Sequence, residues 1–217
     1  MTGTVSAEGA GVALGDVTLL SPVSFEVESG RTLAVVGSNG SGKTTLLRVL
    51  AGLMSPSTGT VVVDGLPPDE RRPAFRSRVA SLLGVPPLAR NLTLREYLTL
   101  IALSWGVGAD QAARRAGALL DELGIGRLAS RFPHELSSGQ TQLYVLAVTL
   151  ARPFEVLLLD EPEQRLDPDR LALVGDALAR RTAAGATVVL ASHSRPLVDR
   201  LADQVLALAE DGDDLDG

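Results

Sequence analysis

Gly37-Ser38-Asn39-Gly40-Ser41-Gly42-Lys43-Thr44-Thr45 decides how the rest of this 217-residue chain is read. The run fits the spacing G-x-x-x-x-G-K-[ST], and it stands where that spacing has physical meaning. Thr32–Val36 before it has the pattern of a buried strand that stops at Gly37, and a helix is expected from about Lys43. Glycines let backbone N–H groups curl around phosphate oxygens, and the helix aims the positive end of its dipole at the anion. In such a loop Lys43 supplies a point charge to the β- and γ-phosphates, and the Thr44 hydroxyl is a Mg²⁺ ligand. Composition argues the same way. Of the 20 basic residues, Lys43 is the only lysine. Arginine is too wide and planar for a cation threaded into this loop, so the sole exception to an arginine-only chain has a reason.

Outward from the loop, apolar and polar segments alternate as strand, helix, strand, helix, which predicts an α/β fold with a largely parallel sheet. Gly59–Asp64 reads as a second strand closed by Gly65, Val156–Leu159 as a third, and Thr187–Ala191 as a fourth ending at Ser192-His193. Continuous apolar runs suit strands covered on both faces. Between about Pro86 and Ala151 the character changes. Thr93–Trp105, Gln111–Leu123 and Gln140–Ala151 carry helix-spaced apolar positions with Gly or Pro in the loops, so residues 86–151 read as an inserted helical lobe. Residues 1–85 and 152–209 then form the core lobe, and the Asp-rich tail 210–217 is expected to be disordered.

Two strand ends carry chemistry. Asp160 and Glu161 follow the apolar run Val156–Leu159, at the end where open α/β sheets bind ligands. Asp160 is the expected Mg²⁺ holder, directly or through water, and Glu161 the general base that polarises the attacking water. His193 ends the next apolar strand and is positioned to contact the γ-phosphate and orient Glu161 or the water. His134, the other histidine, reads as a surface residue.

Composition narrows the partners. Net charge is −6 and aromatics are 3 %, which argues against nucleic acid: carboxylates repel phosphate backbones, and stacking platforms are scarce. Anionic lipid is repelled too, so membrane contact should run through a protein partner. There is no cysteine, which removes disulfides and thiolate metal sites. No secretory signal opens the sequence, and its apolar run Leu143–Leu150 is far shorter than a membrane span. The chain reads as cytoplasmic.

Leu136-Ser137-Ser138-Gly139-Gln140 makes the reading specific. Here the sequence resembles the nucleotide-binding domains of the ATP-binding-cassette (ABC) family, whose signature is LSGGQ. The resemblance covers nearly the whole chain: the phosphate loop, the Gly59-to-Gly65 strand and turn, this signature, Asp160-Glu161-Pro162, Leu166-Asp167-Pro168 as a D-loop, and Ser192-His193. It implies a P-loop ATPase core with an N-terminal antiparallel β subdomain beside the inserted helical lobe. It also implies ATP and Mg²⁺ as ligands and a head-to-tail dimer of two ABC ATPase domains, like or unlike. Ser137, Ser138, Gly139 and Gln140, with the N–H groups at the start of the following helix, form a second anion site, too far along the chain to complete its own phosphate loop. In the family that site caps the γ-phosphate bound by the opposite subunit. Ser137 would cap its helix in any case.

Four positions depart from the family pattern. The adenine-stacking aromatic falls near Leu14, which packs on a base without aromatic stacking. The Q-loop glutamine falls near Gly84 or Val85, where none stands. Ser138 replaces a glycine of the signature, and Arg165 occupies a D-loop position that is usually small. The reading that follows is an ATP-hydrolysing subunit, peripheral on the cytoplasmic face of the membrane, driving a separate membrane-spanning permease. Its short length looks more like the family's small exporter-type subunits than its sugar or ion importers. A soluble ABC ATPase that remodels a protein partner is the alternative, and a catalytically dead dimerisation module is weakened by intact Lys43, Asp160 and Glu161.

Overall fold

The computed structural model describes residues 3–209, and the tail read as disordered lies outside them. The described residues divide into two compact units. The first takes in 3–83, 154–161 and 181–209, and the second 84–153 and 162–180. The helical lobe read at 86–151 falls inside the second, which also contains most of a later helix.

The first unit holds two sheets. β1 (Val5–Leu14), β2 (Val17–Val27) and β4 (Thr58–Val63) form an antiparallel sheet in the order β2-β1-β4. β3 (Thr32–Val36), β5 (Val79–Leu82), β6 (Val156–Asp160), β7 (Thr187–Ala191) and β8 (Gln204–Ala207) form a second sheet in the order β5-β6-β7-β3-β8, with every pairing parallel. The three valines of β4 therefore do not extend the parallel sheet, as the alternating pattern suggested. They alternate between exposed and buried, and a strand with one wet face belongs in an antiparallel sheet. β3, β6 and β7 are almost continuously buried, as strands covered on both faces should be.

Helix α1 (Lys43–Leu50) packs against strands of both sheets. Its Leu46, Leu47, Val49 and Leu50 are fully buried in a core with Val5, Leu33, Val35, Val63, Leu158 and Val189. The helix that opens at the phosphate loop is thus the main apolar filler of this unit, and burying its leucines fixes where the loop stands. Past β4, the buried Asp64 accepts from the Gly3 N–H at 2.7 Å and pairs with Arg78 at 2.8 Å. This pins the chain between α2 (Pro73–Arg76) and β5 to the end of β4. The last elements of this unit are α7 (Arg195–Leu201) and β8.

The second unit is helical: α3 (Leu94–Ser104), α4 (Ala109–Glu122), α5 (Ser138–Leu150) and most of α6 (Pro168–Ala183). α3 opens on a reciprocal cap, with Thr93 accepting from the Glu96 N–H while Glu96 accepts from the Thr93 N–H. α4 presents Ala112, Ala116, Leu119 and Leu120 as one buried stripe. α5 differs. Leu143, Tyr144, Val145, Leu146 and Ala147 are buried in succession, so this helix is apolar on nearly every side rather than amphipathic. Burial also pushes the Tyr144 phenol upward.

Candidate functional site

Three neighbouring strands of the parallel sheet, β6, β7 and β3, end side by side and deliver the site from their C-terminal ends. β3 runs into the phosphate loop, β6 ends at Asp160, and β7 leads into Ser192-His193. The register sets Asp160 level with Ala191, and Ala191 level with Val35.

The loop is shaped by glycine. Gly40 and Gly42 adopt φ of 90° and 96°, the left-handed region that glycine occupies without a Cβ clash. At Gly42 a Cβ would stand 2.8 Å from the Leu19 carbonyl oxygen, so β2 leaves no room for another residue. Lys43 is 6 % exposed, and its ammonium donates to the carbonyls of Gly37 at 2.8 Å and Ser38 at 2.7 Å. The cation is therefore held directly over the loop. Gly42 caps α1 without any side chain, and the first turn carries no acid, whereas α3 and α5 begin on Thr93 and Ser137 caps. The N–H groups at the start of α1 are left for an external acceptor. The Ser41 hydroxyl, buried beside them, has no hydrogen-bond partner among the described residues. An open N-terminus, an orphaned hydroxyl and a buried ammonium fit a phosphate chain.

Thr44 donates its hydroxyl to Asp160 Oδ2 at 2.7 Å, joining α1 to the end of β6. A hydroxyl and a carboxylate are hard oxygen donors, suited to Mg²⁺ with phosphate and water completing its shell. Among the described residues no group of three or more His, Cys, Asp or Glu is arranged to hold a metal.

Burial raises the Asp160 carboxyl above its ordinary range. The Thr44 hydrogen bond opposes this, Glu161 adds to it, and Lys43 and Arg48 counter it. A carboxylate raised in the folded state contributes most to stability below its unfolded pKa and loses that contribution as pH rises through the folded value. Above the unfolded pKa the raised Asp160 carboxyl is thus a cost to the fold. Asp160→Asn should raise the melting temperature of the nucleotide-free protein at neutral pH, by a few degrees, and the gain should vanish on acidification. A scan of melting temperature against pH checks this, and a gain that ignores pH would rule it out.

Glu161 sits at φ 47°, an uncommon conformation for a residue with a Cβ, and its N–H donates to the Ala191 carbonyl at 2.9 Å. β7 thereby fixes the turn that carries the Glu161 carboxylate. The imidazole Nε2 of His193 lies 3.4 Å from Glu161 Oε1. Buried Ser192 anchors the same turn: its N–H donates to Val35, and its hydroxyl accepts from the Ser194 N–H at 3.0 Å. Lys43, Thr44, Asp160, Glu161 and His193 are thus gathered at one sheet edge. Leu14 is 74 % exposed at the tip of the β1–β2 hairpin, whose second strand meets Gly42 at Leu19 and Leu20. His134 is exposed, as read, and stacks on Phe132 with ring centroids 5.7 Å apart.

The signature residues form a separate set in the second unit. Ser137 caps α5, its hydroxyl accepting from the Gln140 N–H while Gln140 Oε1 accepts from the Ser137 N–H. Ser138 is exposed, and Gly139 is buried. A Cβ on Gly139 would stand 2.8 Å from the Arg165 carbonyl oxygen and 2.9 Å from an Arg170 guanidinium nitrogen. This explains why the first signature glycine can be serine and the second cannot. Sequence reasoning missed Arg170, and it missed Gln142, a buried amide that donates to the Pro162 carbonyl at 3.3 Å. An amide within the apolar run of α5 was the available signal.

Comparison with known proteins places these features in context. Residues 20–164 match the family model described as ABC transporter. A putative ABC transporter ATP-binding protein of Methanosarcina acetivorans is 31 % identical over 91 % of this chain and 76 % of its own length. The methionine import ATP-binding protein MetN 1 of Pseudomonas fluorescens is 34 % identical over 91 % of this chain, which spans 61 % of that relative. Among solved structures, an ATP-binding subunit of an ABC transporter superposes with a TM-score of 0.83 at 27 % identity, over 94 % of this chain and 85 % of that one.

Proposed function

This chain belongs to the ABC transporter family of ATP-binding proteins and is a transporter ATPase, and on that premise we propose how its residues divide the work and what they drive. The observation that carries the reading is the convergence of Lys43, Thr44, Asp160, Glu161 and His193 at three adjacent strand ends, with Thr44 and Asp160 joined at 2.7 Å. The residues from Gly37 to Thr45 wrap the phosphate chain of ATP. Lys43 exchanges its two carbonyl partners for β- and γ-phosphate oxygens, and the amides at the start of α1 and the Ser41 hydroxyl complete the grip. Thr44 and Asp160 hold Mg²⁺, which when bound neutralises phosphate charge. Leu14 offers an aliphatic surface to the base.

Water attacks the γ-phosphorus as its bond to the β,γ-bridging oxygen breaks and ADP leaves; Glu161 takes the water's proton, and His193 orients the Glu161 carboxylate and reaches toward the γ-phosphate. Hydrolysis also needs the far side of the phosphate covered. The Ser137–Gln140 turn of a second ABC ATPase domain, like or unlike this one, serves that purpose, so two nucleotides are sandwiched in a head-to-tail dimer. Closing and opening of that dimer moves a separate permease, through which alone the chain meets the membrane on its cytoplasmic face. Among the described residues no helix is long and apolar enough to cross a bilayer.

The test is recovery of the tagged chain from host membranes in mild detergent. A complex containing a polypeptide with several apolar spans, whose ATPase activity falls when that polypeptide is removed, is the expected result. Recovery of the chain only from the soluble fraction, with unaltered activity, would favour a soluble remodelling ATPase instead.

A further inference from the structure

Arg165 has no hydrogen bond or ion pair for its guanidinium among the described residues, although Asp167 stands two positions away. Asp167 pairs instead with Arg170, at 3.4 Å. Arg165 is exposed and adopts φ 63°, a conformation that a residue with a Cβ seldom takes unless its surroundings impose it. Its carbonyl oxygen lies against Gly139, where no Cβ fits. The Arg165 backbone therefore packs directly against the signature turn, and the exposed residue stands beside that turn.

We propose that Arg165 acts in trans, closing its guanidinium on the phosphate chain of the nucleotide bound by a second copy of this chain. The inference rests on the sandwich reading above and adds to it a residue that the signature lacks. Two chains of net charge −6 must approach one another around two triphosphates. An exposed, unpaired cation at the meeting surface offsets that repulsion, and a guanidinium matches phosphate oxygens with two parallel N–H donors. Asp167 being already paired leaves Arg165 available for this contact.

The experiment compares ATP-driven dimerisation, by sedimentation with Mg²⁺, of the Glu161→Gln protein with and without Arg165→Ala, Arg165→Gly or Arg165→Lys. Alanine and glycine should each weaken the dimer by about tenfold to a hundredfold, the worth of a charge-assisted hydrogen bond, and lysine should restore part of the loss. Glycine relieves the backbone strain, so equal losses for alanine and glycine assign the effect to charge. The melting temperatures of the Arg165→Ala and Arg165→Lys chains, and the affinity of every variant for a fluorescent ATP analogue at concentrations too low to dimerise, should not change. Undiminished dimerisation of the Arg165→Ala protein would overturn the assignment to Arg165 and leave the sandwich standing. Failure of the Glu161→Gln protein itself to dimerise would sink both. An equal weakening of the residual self-association measured without any nucleotide would overturn the phosphate contact in favour of a protein carboxylate.

Discussion

Lys43→Ala should lose at least about a hundredfold in ATP affinity, because charge-assisted hydrogen bonds to phosphate contribute roughly 1.5–3 kcal/mol each and this ammonium serves two phosphates. Lys43 is almost wholly buried, and its Nζ is already held by the Gly37 and Ser38 carbonyls, so the charge is organised before any nucleotide arrives. Truncation removes the cation and leaves two carbonyls facing the anion, an unfavourable pairing. Lys43→Arg should fail nearly as badly, since a planar guanidinium does not fit the space of a threaded ammonium. Titration calorimetry reads both variants, and unchanged affinity in Lys43→Ala would remove the phosphate-loop assignment.

Glu161→Gln should lower turnover by about a hundredfold to ten-thousandfold, the range expected when a general base is lost, while ATP still binds. The amide keeps the size of the carboxylate and its contact with His193 but cannot accept the proton of water. The β6–β7 bond through the Glu161 N–H is a backbone bond and survives the substitution. The fold and the grip on ATP should therefore persist, separating this variant from Lys43→Ala: one binds and stalls, the other does not bind. Full turnover in Glu161→Gln would move the base elsewhere, and His193, 3.4 Å away, would be the first place to look.

Much of the candidate site's placement was legible because each of its motifs is local in sequence. A strand, a glycine turn and a helix start in immediate succession specify the phosphate loop, and apolar runs broken by Asp160-Glu161 and by Ser192-His193 mark two more strand ends. The sheet assignment of Thr58–Val63 was not legible, because three valines in a row do not say which strand they pair with. The pairing belongs to β1, some fifty residues earlier, where Val5 meets Val63 and Ala7 meets Val61. Gly139 is a similar case. The sequence shows a glycine in a signature, but the reason that only glycine fits is a carbonyl belonging to Arg165. Arg165 itself read as a departure from a pattern, and its unpaired charge emerged only with the positions of Asp167 and Arg170. Contacts that depend on loops meeting helices across long stretches of chain leave no periodicity to read.

In the proposed sandwich each nucleotide is held by one half-site from either domain. The most direct test of that pairing is the mass of the Glu161→Gln protein in solution by sedimentation equilibrium, with Mg²⁺ present and ATP added or withheld. A single chain without ATP and twice that mass with it is the predicted result for a self-pairing chain. A single chain in both, at concentrations where calorimetry shows the phosphate loop saturated, would contradict pairing between copies of this chain.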